Sequence, residues 1–383
     1  MNVQILGVDP ANRGAGLMFE AIRQQLDSRY PGVNYVMSTE VRPADRLKLG
    51  AWGIFPPGKR LKDRLVGKVA NALPSSFLRR AALIKDKDVH VVLDASGFAY
   101  GEFWGPRKMA DRIADPIVAW KRQGKKVILM PQAWGAFEDP GFRPLLNTIF
   151  DHADMVFARD EVSFGHLKSI VGERANLALA PDFTNLVKAD LPSRLAPYAG
   201  RTLIVPNAKI IQAKGAAIED RYLGFLAASV RIAQAAGQDP VLLVHEGAGD
   251  LAIAHKVNAL LAAPVPVVSD LTALETKALI AKATALVSSR FHGLVSGLAA
   301  GVPSLACGWS HKYQELLKDY QCAEHVVDLS AEGELDGKIE AFFQAALAGS
   351  LKQRIEAAGQ AQKERSVSMW NKVFGVLDQA SRT

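Results

Sequence analysis

Short apolar runs alternate with helix-period segments along almost the whole chain. The first run, 3–8, leads through a glycine-containing loop into a helical pattern at 16–29. Runs at 89–93, 127–130, 154–158 and 177–180 then alternate with helical patterns near 106–123, 141–152 and 160–170. A second series has runs at 202–205, 241–244, 265–268, 285–287 and 304–306. Its helical patterns fall near 216–236, 249–262, 272–282, 292–300 and 312–319. Runs this short and this uniformly apolar suit strands covered on both faces, and their alternation with helices predicts parallel α/β sheets. The stretch 186–201, containing Pro and Ala, separates the two series. The pattern therefore predicts two Rossmann-like domains facing a cleft, at 1–190 and 200–345, with C-terminal helices at 346–383. No strand-like run follows residue 334. A single TIM barrel is the rival architecture, against which the long basic interruption after the second strand is only a weak argument.

Length and composition fit this reading. The 383 residues exceed one ordinary domain, and 49% hydrophobic with 22% charged residues describes a chain able to bury two cores. Disordered, collagen-like and coiled-coil classes are excluded. Only Cys307 and Cys322 are present, too few for a disulfide framework or a zinc site, so a reducing compartment is expected. Met1 leads straight into the first run without a signal-peptide pattern, and no window of about 20 apolar residues exists. A cytoplasmic protein is expected, peripheral to the inner membrane face.

The net charge of +7 is concentrated. Residues 42–87 hold twelve Lys and Arg against three Asp, a local balance of +9 that leaves the remainder slightly acidic. Leu61, Leu65, Val69 and Leu73 recur there every four residues beside Lys62, Arg64 and Lys68. This predicts a basic amphipathic helical insertion in the N-terminal domain, suited to an anionic membrane surface or to a solvated face packed on its own domain. No helix-turn-helix, zinc-finger or RNP-like motif accompanies the charge, so nucleic acid is not an expected partner.

In parallel sheets ligands sit at the carboxyl ends of strands, so the strand-to-helix loops hold the candidate chemistry. The first reads Asp9-Pro10-Ala11-Asn12-Arg13-Gly14-Ala15-Gly16. Asp94-Ala95-Ser96-Gly97, Pro131-Gln132-Ala133-Trp134-Gly135 and Arg159-Asp160-Glu161 follow, each combining small residues with polar groups. The sharpest is Ser288-Ser289-Arg290-Phe291-His292-Gly293, with a guanidinium and an imidazole at a helix start. Backbone N–H groups and Arg290 suit phosphate oxygens, and His292 suits a proton donor. Lys312, in the loop after the next run, is expected in the same corner. His245-Glu246-Gly247 also ends a strand and suits either ligand contact or a structural turn. Asp86-Lys87-Asp88 imitates a metal-binding Asp-x-Asp but precedes a strand. Gly14-x-Gly16 lacks the third glycine of a dinucleotide fingerprint, and no cluster has metal-ligand spacing. No metal and no cofactor is expected.

The stretch 288–320, SSRFHGLVSGLAAGVPSLACGWSHKYQELLKDY, resembles the Ser-x-Arg-x-His-Gly block of the polysaccharide pyruvyl transferases, with their Ala-x-x-x-Gly-x-Pro and following Lys. Asn12-Arg13-Gly14, Asp94-Ala95-Ser96-Gly97, Gln132 with Gly135, Arg159-Asp160-Glu161-x-Ser163 and Pro181-Asp182-Phe183 match in family order. Ala15 stands where many members carry an acidic residue, and Ala133 and Ala136 replace a Ser and a Pro. The resemblance implies a GT-B-like fold and transfer of pyruvate from phosphoenolpyruvate to two hydroxyls of a sugar, or its lipid-linked oligosaccharide precursor. A cyclic ketal forms and phosphate leaves. It assigns His292 and Arg290 to catalysis and Arg290, Lys312 and Arg159 to phosphoenolpyruvate. Asp9, Asn12, Arg13, Ser96, Gln132 and Asp182 fall on the acceptor side. A GT-B nucleotide-sugar glycosyltransferase and a non-catalytic membrane- or glycan-binding scaffold are the alternative readings.

Reversing Arg60, Lys62 and Arg64 to Glu is expected to weaken binding to anionic vesicles about tenfold or more. Unchanged co-sedimentation would leave only a solvated insertion.

Overall fold

The computed structural model describes residues 1–10, 12–54, 69, 72–308, 310–330 and 335–380. The chain divides into two compact units. The first comprises Met1–Ala11, Met18–Phe183 and Ser366–Thr383, and the second Asn12–Leu17 and Thr184–Arg365. Both are parallel α/β units, as the alternating pattern predicts.

The first unit is built on a seven-stranded sheet ordered β3-β2-β1-β4-β5-β6-β7. Its strands are β1 (Asn2–Leu6), β2 (Asn34–Ser38), β3 (Trp52–Ile54), β4 (Val91–Asp94), β5 (Lys126–Gln132), β6 (Met155–Ala158) and β7 (Leu177–Leu179). The central strands are buried throughout, so their apolar runs show no alternation. The helix Arg13–Arg29 buries Met18, Ile22 and Leu26 at i, i+4 spacing, and Phe19 meets Tyr35 of β2 edge-on at 5.5 Å between ring centroids.

The second unit repeats the order on six strands, β10-β9-β8-β11-β12-β13. These are β8 (Thr202–Val205), β9 (Pro240–Leu243), β10 (Val267–Val268), β11 (Ala285–Ser288), β12 (Ser304–Cys307) and β13 (Val326–Val327). In each sheet the order reverses between two central strands, β1 and β4 in the first and β8 and β11 in the second. The loops leaving such a pair diverge and open a crevice at their carboxyl ends.

The C-terminal segment is helical, as its pattern predicts, with helices Leu335–Leu347 and Ser350–Ala380. Ile339, Phe342, Leu351 and Ile355 join the core of the second unit. Further along, Trp370 of the first unit meets Phe183 edge-on at 6.3 Å between ring centroids.

Three strands escape the hydrophobic pattern. β2 has a three-residue buried run, beside an exposed Gly32 turn. β13 has only two residues. β3 lies inside the basic stretch, where Gly53 separates Trp52 from Ile54. That glycine lets Arg46 turn inward: a Cβ on Gly53 would fall 1.9 Å from Arg46 Nη1. Arg46 is 7% exposed and donates from Nε to the Val41 carbonyl. On its other side Gly53 donates its N–H to Ala82 and accepts from Ile84. The flanks of the basic stretch thus extend the sheet. Leu61 and Leu65 of the expected amphipathic stripe, with Arg60, Lys62 and Arg64, lie outside the described residues. Val69 is 61% exposed. Among the described residues no helix is long and apolar enough to cross a membrane.

At the reversal point of the first sheet, Gly7 (φ 78°) meets the β4 loop. A Cβ there would lie 2.4 Å from Ser96 Oγ and 2.5 Å from Ser96 Cα. Gly7→Ala combines left-handed strain with a backbone clash, and is expected to destabilise the first unit by roughly 2–4 kcal/mol. A lowered urea midpoint for that unit checks this.

Candidate functional site

The loop after β11 is held rigid by its neighbours. Ser288 Oγ accepts the Arg290 N–H at 3.1 Å, closing a turn that directs the chain into the helix Phe291–Ala299. The Ser289 carbonyl receives Asn207 Nδ2 at 2.7 Å and the Tyr313 hydroxyl at 3.1 Å. Asn207 stands at the end of the β8 loop, and its own N–H donates to the Tyr222 hydroxyl at 2.7 Å. Burial pushes that phenol well above its ordinary pKa, so it stays neutral. Across the reversal point of the second sheet, two loops are therefore joined by side-chain bonds.

Asp250 fastens a third. It lies in the first turn of the helix Gly247–Ala259 and is fully buried. Its carboxylate accepts Arg290 Nε at 2.9 Å and Nη2 at 2.5 Å, a two-pronged ion pair. The same oxygens accept the Ala208 N–H at 2.9 Å and the Glu246 N–H at 3.0 Å. Glu246 takes the remaining edge of the guanidinium through Nη1. Arg290, 8% exposed, is thus oriented by two carboxylates rather than by solvent.

Residues Asn12–Leu17, the start of the first helix, belong to this unit as well. Asn12 Oδ1 caps the helix Arg13–Arg29 by accepting the Ala15 N–H at 3.0 Å, and its Nδ2 donates to Glu246 at 3.2 Å. Gly14 lies against His292: an added Cβ would sit 2.4 Å from the imidazole Nδ1. Only glycine lets the backbone approach the ring so closely. Beside these lies His245, 6% exposed, at the end of β9. Burial above all, then the charges of Arg290, His292 and Arg13, hold it well below its ordinary pKa, and its Nδ1 has no hydrogen-bond partner. Lys312 places its ammonium 5.5 Å from the ring centroids of both Phe291 and Tyr313. Asn12, Arg13, Arg290, His292 and Lys312 therefore converge on one corner of the second unit. The Cys307 thiol, nearby in β12, is pushed by burial up to about 12.

The other expected residues lie in the first unit. Asp9 is exposed in the loop after β1. Ser96 and Gln132 meet at Asp94, a fully buried carboxylate that accepts Ser96 Oγ at 2.5 Å and Gln132 Nε2 at 3.1 Å. Burial raises the pKa of Asp94, against the opposing charge of Arg112. Arg159 and Asp182 form a buried ion pair at 3.3 Å. In the adjoining turn Asp160 caps its helix at the Ser163 N–H, and Ser163 Oγ receives the Trp134 N–H. Among the described residues no group of three or more His, Cys, Asp or Glu side chains is placed to hold a metal ion.

Asp250 carries much of this geometry without standing out in the pattern, while Glu246 and Asp94 lie in candidate loops without being marked as the groups that orient them. The available signal was spacing: Glu246 and Asp250 are four apart around a Gly-Ala-Gly opening a helix, and so share one face. Asp94 is the single charge ending a four-residue buried strand.

Asp250→Ala would leave Nε and Nη2 of the buried Arg290 and two backbone N–H groups without acceptors, with only the Glu246 bond to Nη1 remaining. It is expected to destabilise the second unit by about 3–5 kcal/mol. A fall in its thermal or urea midpoint checks this, with Asp250→Asn falling less.

Among solved structures, a UDP-GlcNAc 2-epimerase from Methanocaldococcus jannaschii is similar at TM-score 0.56 and 9% identity, over 91% of this chain and 92% of that one. The glycosyltransferase SnogD from Streptomyces nogalater has TM-score 0.54 and 15% identity, over 98% and 99%. An Anabaena protein in complex with UDP and glucose has TM-score 0.54 and 12% identity, over 99% and 100%. At these identities the likeness is one of fold, that of GT-B glycosyltransferases and epimerases. No curated protein matches the sequence. The family description Polysaccharide pyruvyl transferase matches residues 12–311, a span that runs from Asn12 through Arg290 and His292 to His311. The chain belongs to the polysaccharide pyruvyl transferase family.

Proposed function

We propose that this transferase moves pyruvate from phosphoenolpyruvate onto two hydroxyls of a sugar in a polysaccharide or its lipid-linked precursor. The observation that carries the reading is His292, half-buried against the Gly14 backbone in a corner where Arg13, Arg290 and Lys312 converge. Phosphoenolpyruvate bears a phosphate and a carboxylate, and a cationic corner at a helix start suits both. Arg290 meets the donor through its Nη1 edge, where an arriving anion competes with Glu246. Lys312 and Arg13 supply the further positive charge.

The imidazolium of His292 donates its proton to the methylene carbon, which becomes a methyl group. The neighbouring carbon gains oxocarbenium character and takes the first hydroxyl, whose proton returns to the imidazole. Cleavage of the carbon–oxygen bond releases phosphate, and the second hydroxyl attacks the same carbon. Its proton goes to the departing phosphate, and the ketal ring closes. Neutral His245 adds no charge to the pocket. Asp9, Ser96, Gln132 and Asp182 in the first unit, with Asn12, are the acceptor-side candidates. Arg159 is already balanced by Asp182, and in this reading it holds that carboxylate in place. The basic stretch at 42–87 suits a lipid-carried acceptor at an anionic membrane face.

A second reading, nucleotide-sugar transfer, draws on the UDP named in the Anabaena structure. The two readings part on donor. Phosphoenolpyruvate at a hundredfold its Kd should stabilise the protein by about 2.7 kcal/mol. A thermal shift with UDP-glucose and none with phosphoenolpyruvate would favour nucleotide-sugar transfer. His292→Ala is expected to lower acceptor-dependent phosphate release about 10²- to 10⁴-fold with the fold intact. Near-normal turnover would remove His292 from the mechanism.

A further inference from the structure

The β4 corner of the first unit carries a second positive cluster that the pyruvyl-donor site does not use. The chain leaves Asp94 through Ser96 and reaches an exposed aromatic pair, Phe103 (63% exposed) and Trp104 (42%). These rings stand edge to face at 4.9 Å. Trp104 is anchored by its indole N–H to the Phe98 carbonyl at 2.8 Å. From Gly105 (φ 70°) the chain enters Pro106–Met109, then a π-helical segment, Ala110–Ala114, before Asp115–Arg122. A π turn shifts the side chains that follow it relative to a regular helix, and such turns recur at functional sites. This one contains Arg112.

Arg112 donates from Nη1 to Ser96 Oγ at 2.9 Å. Lys108 lies one turn earlier, its ammonium 3.3 Å from the centroid of the Trp104 ring. Burial, then the like charge of Arg112, lowers the Lys108 pKa. Among the described residues neither Lys108 nor Arg112 has a carboxylate within ion-pair distance. Arg112 interacts with the charge of the buried Asp94, and Ser96 bonds to both. Placing two cations together, one of them partly desolvated, is unfavourable until an anion joins them. Behind Ser96, Gln132 Oε1 is buried without a hydrogen-bond partner. The half-exposed Trp104 indole has one face under the Lys108 ammonium, and the opposite face is the one a sugar ring would use.

We propose that Ser96, Trp104, Lys108 and Arg112 form a binding site for a sugar phosphate, the phosphate between Lys108 and Arg112 and the sugar against Trp104. The assignment rests on the reading of a sugar acceptor, and it specifies that the acceptor is anionic, carrying its phosphate into the first unit. The donor site is built from residues of the second unit, so binding at the β4 corner is measurable apart from turnover.

Calorimetric titration of the full-length protein with glucose 1-phosphate, glucose, inorganic phosphate and phosphoenolpyruvate tests this. Glucose 1-phosphate is expected to bind at least about tenfold more tightly than glucose or inorganic phosphate. Lys108→Ala should weaken it about tenfold while leaving phosphoenolpyruvate affinity unchanged, and Lys108→Arg should retain it. Trp104→Ala should remove the preference for glucose 1-phosphate over inorganic phosphate. Equal affinities of the parent protein and Lys108→Ala for glucose 1-phosphate would overturn the site. So would a matching loss of phosphoenolpyruvate affinity, which would make the corner a donor site. Phosphate release from phosphoenolpyruvate, assayed separately, reports on pyruvyl transfer itself: normal release with no sugar-phosphate preference refutes the site alone.

Discussion

A carboxylate removed from water must be surrounded by cations or N–H groups, and Asp250 gathers both from three separate loops. Its bonds to Arg290, Ala208 and Glu246 fix the ends of β11, β8 and β9 relative to one another. The charge therefore acts as an organising point. Arg290 is held by its inner edge, Glu246 follows through its backbone, and Asn12 is drawn in by the Glu246 side chain. The corner containing His292 has its shape because one buried negative charge has to be satisfied.

The first unit repeats the arrangement with different chemistry. Its strand order reverses at the corresponding place, and a buried carboxylate, Asp94, again sits at the carboxyl end of a central strand. There the partners are a hydroxyl and an amide rather than a guanidinium fork. With weaker compensation the carboxyl group is pushed towards its neutral form, whereas Asp250 binds its cation directly. The same topology thus provides two cationic corners, one whose arginine is gripped by a carboxylate fork and one whose arginine reaches its buried carboxyl group through a hydroxyl.

Much of this was legible in the chain itself. Central strands are uniformly apolar runs because both faces are covered, and β4, β5, β8 and β11 stand out for that reason. The strands that pass unnoticed in the pattern are β3 and β13, short and at sheet edges, and β2, an interior strand with only three buried residues. The Arg290/His292 loop could be read because its residue types are chemically unusual beside a helix start. The carboxylates that orient it could not: Asp250 resembles any acidic residue in a first helical turn until folding buries it. Arg46 is the converse case, a cation inside a basic stretch that reads as surface but packs inward over Gly53.

The compact units are not continuous in sequence. Residues 12–17 belong with 184–365, and 366–383 with the first unit, although each segment is covalently part of a helix whose remainder lies in the other. His292 packs on Gly14, 278 residues earlier in the chain. Exchange of gene segments between relatives at the 183/184 boundary would therefore pair an imidazole with a foreign glycine loop, and a core with a foreign terminal helix. Recombination that preserves the site has to carry both short segments with their packing partners, so the two halves of this protein are constrained to evolve as one inheritance unit.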